Sequence, residues 1–198
     1  LFLDELPQYE RKVLDVLREP LENGVVHIAR AGHQTQFPAQ FQLVAALNPS
    51  PSGHHQDGRA SREQILRYLS RISGPLLDRI DLQIEVVPVS YEELTSNSII
   101  ENSLTIRNRV QKARAIQLNR YAKRLGINTN AQMQSYELKA WAQLDDASAQ
   151  LLKMAMEQFH LSARAYDRII KVARTIADLD GSKEIQNQHI SESIQYRT

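Results

Sequence analysis

The chain has 198 residues, enough for one large domain or two small ones, and its 42% apolar content is that of a soluble protein with a core. No cysteine occurs, which excludes a disulfide framework and a thiolate metal site, and no apolar run approaches membrane-span length. The net charge of +1 names no partner, but it is unevenly spread: residues 1–95 carry 9 Lys and Arg against 13 Asp and Glu, and residues 96–198 carry 15 against 10. The basic second half points mildly to a polyanion. No signal peptide or initiator methionine is visible. The chain therefore reads as cut from a longer polypeptide, and a cytoplasmic location is expected.

Leu1-Phe2-Leu3 reads as a short buried strand, closed by the carboxylates of Asp4 and Glu5. Such a strand looks like a Walker B motif. One carboxylate would hold the water shell of a magnesium ion, and the next would orient or deprotonate an attacking water. The same residues fit an ordinary strand running into a helix N-terminus, where acids are favoured anyway. Pro7 can open a helix, and Val13, Leu14, Leu17 and Leu21 recur at helical spacing up to the turn at Asn23-Gly24. Residues 25–30 predict a strand with Val26 and Ile28 on one face; after Ala31-Gly32-His33, residues 34–37 return antiparallel. Residues 41–47 predict a buried strand that Asn48-Pro49 ends. Residues 50–60 read as a loop. Ser61 with Gln64 predicts a capping box for a helix to about Arg71, and Ser73-Gly74-Pro75 breaks it. Residues 76–80 give one tight helical turn, residues 82–87 a last strand, and Ser90 with Glu93 another capping box. Strands separated by helices indicate an α/β layer structure with an inserted hairpin.

In order, these residues carry a resemblance: Leu-Phe-Leu-Asp-Glu-Leu-Pro from Leu1; Leu-Arg-Glu-Pro-Leu-Glu-Asn-Gly from Leu17; Phe-Pro-Ala-Gln-Phe-Gln-Leu-Val-Ala-Ala-Leu-Asn-Pro from Phe37; and Leu-Ser-Arg-Ile-Ser-Gly-Pro-Leu-Leu-Asp-Arg-Ile-Asp-Leu from Leu69. Together they resemble the magnesium-chelatase-like AAA+ ATPases over nearly the whole chain. The resemblance implies ATP and Mg2+ as cofactors and places Asp4 and Glu5 at Walker B. Asn48 falls at sensor 1, where an amide offers both a donor and an acceptor. Its plain alternative is a turn-former ahead of Pro49. Arg79 falls at the arginine finger, which acts on a neighbour's nucleotide; its plain alternative is an ion pair with Asp78 or Asp81. The hairpin resembles the pre-sensor-1 insertion, with His27, Arg30 and His33 as candidate DNA contacts or simply as a solvated face. Many relatives place paired cysteines after the Asn-Pro step. Here those places fall near Ser50, Ser52 and Arg59; His54 and His55 alone are poor ligand spacing, so no zinc is expected. The Gly-rich phosphate loop with its Lys and Ser or Thr does not occur in these residues. The 198 residues alone are therefore expected to hydrolyse ATP at no more than background.

Residues 95–102 read as a polar hinge. Residues 103–125 predict a helix with Ile106, Val110, Ala113, Tyr121 and Leu125 on one broad face. Arg107, Arg109, Lys112, Arg114, Arg120, Lys123 and Arg124 lie on it with no acid among them, which favours a phosphate-facing surface over a solvated one. Gly126 ends it. A short helix over residues 136–144 follows, with Trp141 as an expected core anchor. Asp145 or Asp146 caps the next, which runs to about Phe159, and Ser162 caps a long helix over residues 163–179 that Asp180-Gly181 stops. A final short helix covers residues 187–196. This half is an all-α bundle. The resemblance continues through Leu161-Ser162-Ala163-Arg164-Ala165-Tyr166 and implies a helical lid with Arg164 at sensor 2; Arg174 is expected to be structural, near Asp178.

The expected fold is thus α/β, the distal half of an AAA+ P-loop core over residues 1–95 with an inserted β-hairpin, followed by an all-α C-terminal lid over residues 96–198. The resemblance implies self-association into a ring, expected to be a hexamer, and hydrolysis coupled to movement on DNA during natural transformation, with no membrane partner. A chelatase-type motor that remodels a protein, and a non-catalytic binding or assembly module, remain open alternatives.

Overall fold

The computed structural model describes residues 1–30, 32–51, 60–95 and 101–197. They form two compact units, Leu1–Ile80 and Asp81–Thr198. The sequence expectation places residues 81–95 with the α/β half, whereas packing groups them with the helices.

In the first unit, β1 (Phe2–Leu3) pairs in parallel with β4 (Val44–Ala45), in the register Phe2 to Val44 and Leu3 to Ala45. Main-chain bonds continue the ladder at both ends, from Val44 N to Leu1 O and from Leu6 N to Ala46 O, each 2.9 Å. Alternation along a strand turns Leu3 and Ala45 toward the core and leaves Phe2 and Val44 on the open face. The expectation of a short buried strand over Leu1-Phe2-Leu3 is therefore corrected: Phe2 is 63% exposed. The strand expected over residues 41–47 shortens to two residues, although main-chain bonds of Gln42 and Ala46 to the β1 segment carry the pairing a little further.

Pro7 opens a 3-10 turn over Leu6–Gln8 rather than a long helix. The helical stretch that follows is split into α1 (Arg11–Val16) and α2 (Arg18–Asn23). Pro20 explains the break, since it has no N–H for the carbonyl one turn earlier and its ring crowds that turn. Gly24, with φ +68, closes α2; a Cβ there would lie 3.0 Å from Gln40 Cγ. An antiparallel hairpin then joins β2 (Val25–Arg30) to β3 (His33–Pro38), with Arg30 opposite His33 near the tip. Helix α3 (Arg62–Leu69) carries the expected capping box of Ser61 and Gln64, and α4 (Gly74–Leu77) follows. The core is small: Leu6, Leu14, Ile72 and Leu76 are buried, with Leu3, Leu17, Leu21, Ala45 and Leu77 against them.

The second unit begins with an extended segment. Residues 82–90 form no strand, which corrects the expectation for residues 82–87; Val86 is 88% exposed. The apolar alternation is present, but no strand lies beside it among the described residues. One main-chain bond, Gln83 N to Tyr196 O at 2.8 Å, fixes its start. Helices α5 (Tyr91–Thr95), α6 (Ser103–Tyr121), α7 (Ser135–Trp141), α8 (Asp146–Gln158), α9 (Ala163–Leu179) and α10 (Asn187–Gln195) follow. Asn102, Asp145 and Ser162 cap α6, α8 and α9 by accepting main-chain N–H groups. The bounds of α9 are those its cap and its apolar spacing predict. Its buried face of Ile169, Ile170, Ala173 and Ala177 packs with Tyr121, Met133, Leu138, Leu152 and Ile190. Two expectations fail here. Trp141 is 45% exposed, and Leu138 and Ala142 take the core positions of α7 instead. The helix expected over residues 103–125 ends at Tyr121; on α6 only Ala113, Gln117 and Tyr121 are buried, while Ile106, Val110 and, beyond its end, Leu125 stay exposed.

Candidate nucleotide-hydrolysis site

Parallel pairing of β1 and β4 sets their C-terminal ends side by side, and Asp4, Glu5 and Asn48 follow those ends. Glu5 adopts φ 50 and ψ 52, the left-handed region that a non-glycine residue seldom occupies. Such backbone strain persists only where the surroundings impose it, and it clusters at functional positions. Asp4 Oδ1 accepts the Glu5 N–H at 3.0 Å, Gln8 N donates to Glu5 O at 2.8 Å, and Gln8 Nε2 donates to Glu5 Oε2. Glu5 and Asn48 share the rim of an open cavity of about 670 Å³ with Gln8, Arg67, Tyr68 and Arg71. Arg71 Nη1 donates to the Pro7 carbonyl at 3.1 Å, tying the end of α3 to the turn behind Glu5. The cavity lining thus includes the carboxylate of Glu5, the amides of Gln8, Asn48 and Gln64, the phenol of Tyr68 and the guanidinium groups of Arg67 and Arg71. Burial first, then the charge of Glu5, pushes the Tyr68 phenol above its ordinary pKa. Arg67, Tyr68, Arg71 and Gln8 escaped the sequence reading. Gln64, Arg67, Tyr68 and Arg71 do fall at i, i+3, i+4 and i+7, one helical face, but nothing local says which cavity that face meets.

Arg79 lines a different concavity, of about 430 Å³, beside Asp15, Arg18, Glu19 and Glu22. Its guanidinium donates to Glu22 and, at 2.7 Å, to the Pro75 carbonyl, and the side chain is only 7% exposed. Glu22, distant in sequence, is thus an ion-pair partner of Arg79. Asp81 pairs with Arg168. Arg164 stands exposed in the first turn of α9.

On the hairpin, His27 Nδ1 lies 2.6 Å from Glu19 Oε1, while Arg30 and His33 are exposed. The basic helix is less basic than its sequence. Arg120 is withdrawn from the phosphate-facing set: it donates to Asp178 at 2.7 Å and to Asn130 at 2.9 Å, and its side chain is nearly buried. Burial alone would lower its pKa; the hydrogen bonds and charge of Asp178 outweigh that and raise it. Arg174 also reaches Asp178, at 3.1 Å, and the carbonyls of Ser182 and Lys183, as its structural assignment requires. Arg109 pairs with Glu101, and Arg114 donates to the Asn128 carbonyl. Arg124 pairs with Glu137 and lies 4.5 Å over the Tyr136 ring. These acids come from outside α6. Arg107, Lys112 and Lys123 remain exposed.

The expected zinc-free loop, with His54 and His55, lies outside the described residues. Among the described residues no cluster of three metal-capable side chains occurs, and no helix is long and apolar enough to cross a membrane. The carboxylates of Asp4 and Glu5 are hard oxygen donors of the kind that suits a magnesium ion carried on a nucleotide, but of the two only Glu5 lines the cavity with Asn48.

Two family profiles match consecutive parts of the chain: magnesium chelatase, subunit ChlI, over residues 1–94, and magnesium chelatase, subunit ChlI C-terminal, over residues 100–197. Competence protein ComM of Haemophilus influenzae is 49% identical over 200 residues, covering 100% of this chain and 38% of that protein. The uncharacterized protein YifB of Escherichia coli is 45% identical over 201 residues, with the same coverage. A maternal DNA replication licensing factor, mcm6, of Xenopus tropicalis is 21% identical over 199 residues, covering 96% of this chain and 23% of that protein. The chain therefore spans 38% of the length of ComM and of YifB. It belongs to the magnesium-chelatase-like AAA+ family and is related to ComM and YifB.

Proposed function

We propose that this chain supplies the water-activating edge and the helical lid of an ATP-driven ring motor that moves on DNA. The observation that carries the reading is Glu5, held in a left-handed conformation on the same cavity rim as Asn48. Glu5 is the base or orienter of the attacking water, Asn48 the group that senses the terminal phosphate, Arg164 the lid's phosphate ligand and Arg79 the finger offered to a neighbouring copy. Magnesium, when bound with ATP, neutralises charge on the phosphates; Asp4 holds its water shell. The ring is a hexamer, and the pathway is branch migration during natural transformation. Support comes from the competence relative and from the exposed cations Arg107 and Lys112 of α6 and Lys123 just beyond it, with Arg30 and His33 at the hairpin tip.

A second reading, a chelatase-type motor acting on a protein, is favoured by Leu104, Ile106, Val110 and Leu118, all exposed on α6. ATP turnover of the full-length protein with and without duplex or branched DNA separates the two. The DNA reading expects several-fold stimulation that fades with salt. It also expects Arg107→Glu, Lys112→Glu and Lys123→Glu each to reduce the salt slope of binding by about 1. Turnover indifferent to DNA at every salt concentration favours the protein partner.

A further inference from the structure

The lining of the cavity beside Glu5 carries more positive than negative charge. Glu5 gives it one carboxylate, and Arg67 and Arg71 give it two guanidinium groups. Both arginines are exposed and stand one helical turn apart, Arg67 in the last turn of α3 and Arg71 just past its end. Like charges at that spacing repel, and acids ordinarily relieve them. Here they do not. Glu63, one turn before Arg67, is not part of the cavity lining and forms no ion pair with it. The Glu5 carboxylate accepts from Gln8 and pairs with neither arginine. Among the described residues nothing engages the Arg67 guanidinium. Arg71 donates once, to the Pro7 carbonyl at 3.1 Å, and keeps the rest of its fork. A phosphate group presents several oxygen acceptors in the arrangement that such forks match.

We propose that Arg67 and Arg71 form a phosphate-binding pair in the cavity of Glu5, with Arg67 as the principal ligand and Arg71 held beside it by Pro7. The phosphate group is the terminal one of a bound nucleotide or the one released from it. The inference rests on the reading of Glu5 and Asn48 given under the proposed function, and it adds two cations of the first unit to that site. A guanidinium there distinguishes ATP from ADP, because only ATP presents the terminal phosphate.

The test is equilibrium binding to the full-length protein, in wild type, Arg67→Gln and Arg67→Lys. Three probes are used: a non-hydrolysable ATP analogue, ADP, and inorganic phosphate added to the ADP-loaded protein. Glutamine at an exposed helical position removes the charge and leaves the thermal midpoint unchanged. The Kd of the analogue is expected to rise roughly tenfold to a hundredfold in Arg67→Gln, the range for a hydrogen bond to a charged group, with the Kd of ADP within about twofold of wild type. Arg67→Lys, which keeps the charge and loses the fork, falls between. Weakened binding of inorganic phosphate with analogue binding intact assigns the pair to the released phosphate. Wild-type binding of both in Arg67→Gln overturns the proposal, as does an equal loss for the analogue and ADP, which would put the effect away from the terminal phosphate. Turnover of Glu5→Gln, measured in parallel, separates this from the reading beneath it. An inactive Glu5→Gln beside unchanged binding in Arg67→Gln overturns the arginine pair alone. Wild-type turnover in Glu5→Gln overturns the hydrolysis site, and the inference falls with it.

Discussion

Asp178→Ala is expected to destabilise the helical unit by about 3–5 kcal/mol, the range for removing one partner of a buried ion pair. Asp178 is fully buried at the C-terminal end of α9 and accepts from Arg120, Arg174 and the Asn130 amide, the last at 2.8 Å. Arg174 is itself buried, and burial lowers its pKa despite the carboxylate. Without Asp178 two guanidinium groups face each other with nothing between them. A Leu152→Ala cavity in the same core costs a comparable 2–5 kcal/mol through lost packing, but leaves no charge stranded. Urea unfolding of the 198-residue chain, followed by helical circular dichroism, measures the effect. Two compact units make two transitions natural, and the loss belongs to the helical one. A change below about 0.5 kcal/mol, the scale of an ordinary surface substitution, would show that the cluster is not what holds α6 to α9.

That cluster also marks where reading the sequence stopped. The helix over residues 163–179 was legible because its signals are local: a serine cap, apolar residues three and four apart, and Asp180-Gly181 at the end. The hairpin was legible for the same reason, with alternation on either side of Gly32. Seven cations on one helix with no acid among them were equally plain, but their partners were not. Glu101, Glu137 and Asp178 lie outside α6, and only the fold brings them to Arg109, Arg124 and Arg120. The segment at residues 82–87 has a strand's alternation and lacks a neighbour to pair with among the described residues, which no property of the segment itself reveals. In the candidate site, motif order singles out Asp4, Glu5 and Asn48, of which Glu5 and Asn48 line one cavity. Arg71 is not singled out that way, because its bond to the Pro7 carbonyl arises from packing and not from spacing along the chain.

Arg79→Ala in the full-length protein should leave ATP binding nearly intact and cut turnover by roughly a thousandfold or more, since a finger's charge acts on the transferring phosphoryl group. Arg79 lies beside Glu22 in its own chain, in a concavity separate from that of Glu5. A finger that serves a neighbour need not face its own hydrolysis site. It must, however, exchange Glu22 for the incoming phosphate. The Glu22 side chain is 37% exposed, so the pair is open to an incoming anion from solvent. If Arg79 served only that ion pair, Arg79→Ala would lower stability and leave turnover per folded ring unchanged. Glu5→Gln should likewise spare nucleotide binding and abolish hydrolysis, by loss of the base instead of the finger.

The central claim is that one chain's Glu5 and another chain's Arg79 complete a single hydrolysis site. Mixing tests it most directly: ATP turnover is measured for pure Arg79→Ala rings, pure Glu5→Gln rings and a graded series of mixtures whose composition native mass measurement establishes. Both pure pools should be inactive, and turnover should reappear in the mixtures, where some interfaces join an intact Glu5 to an intact Arg79. Wild-type turnover from the pure Arg79→Ala pool would contradict the claim.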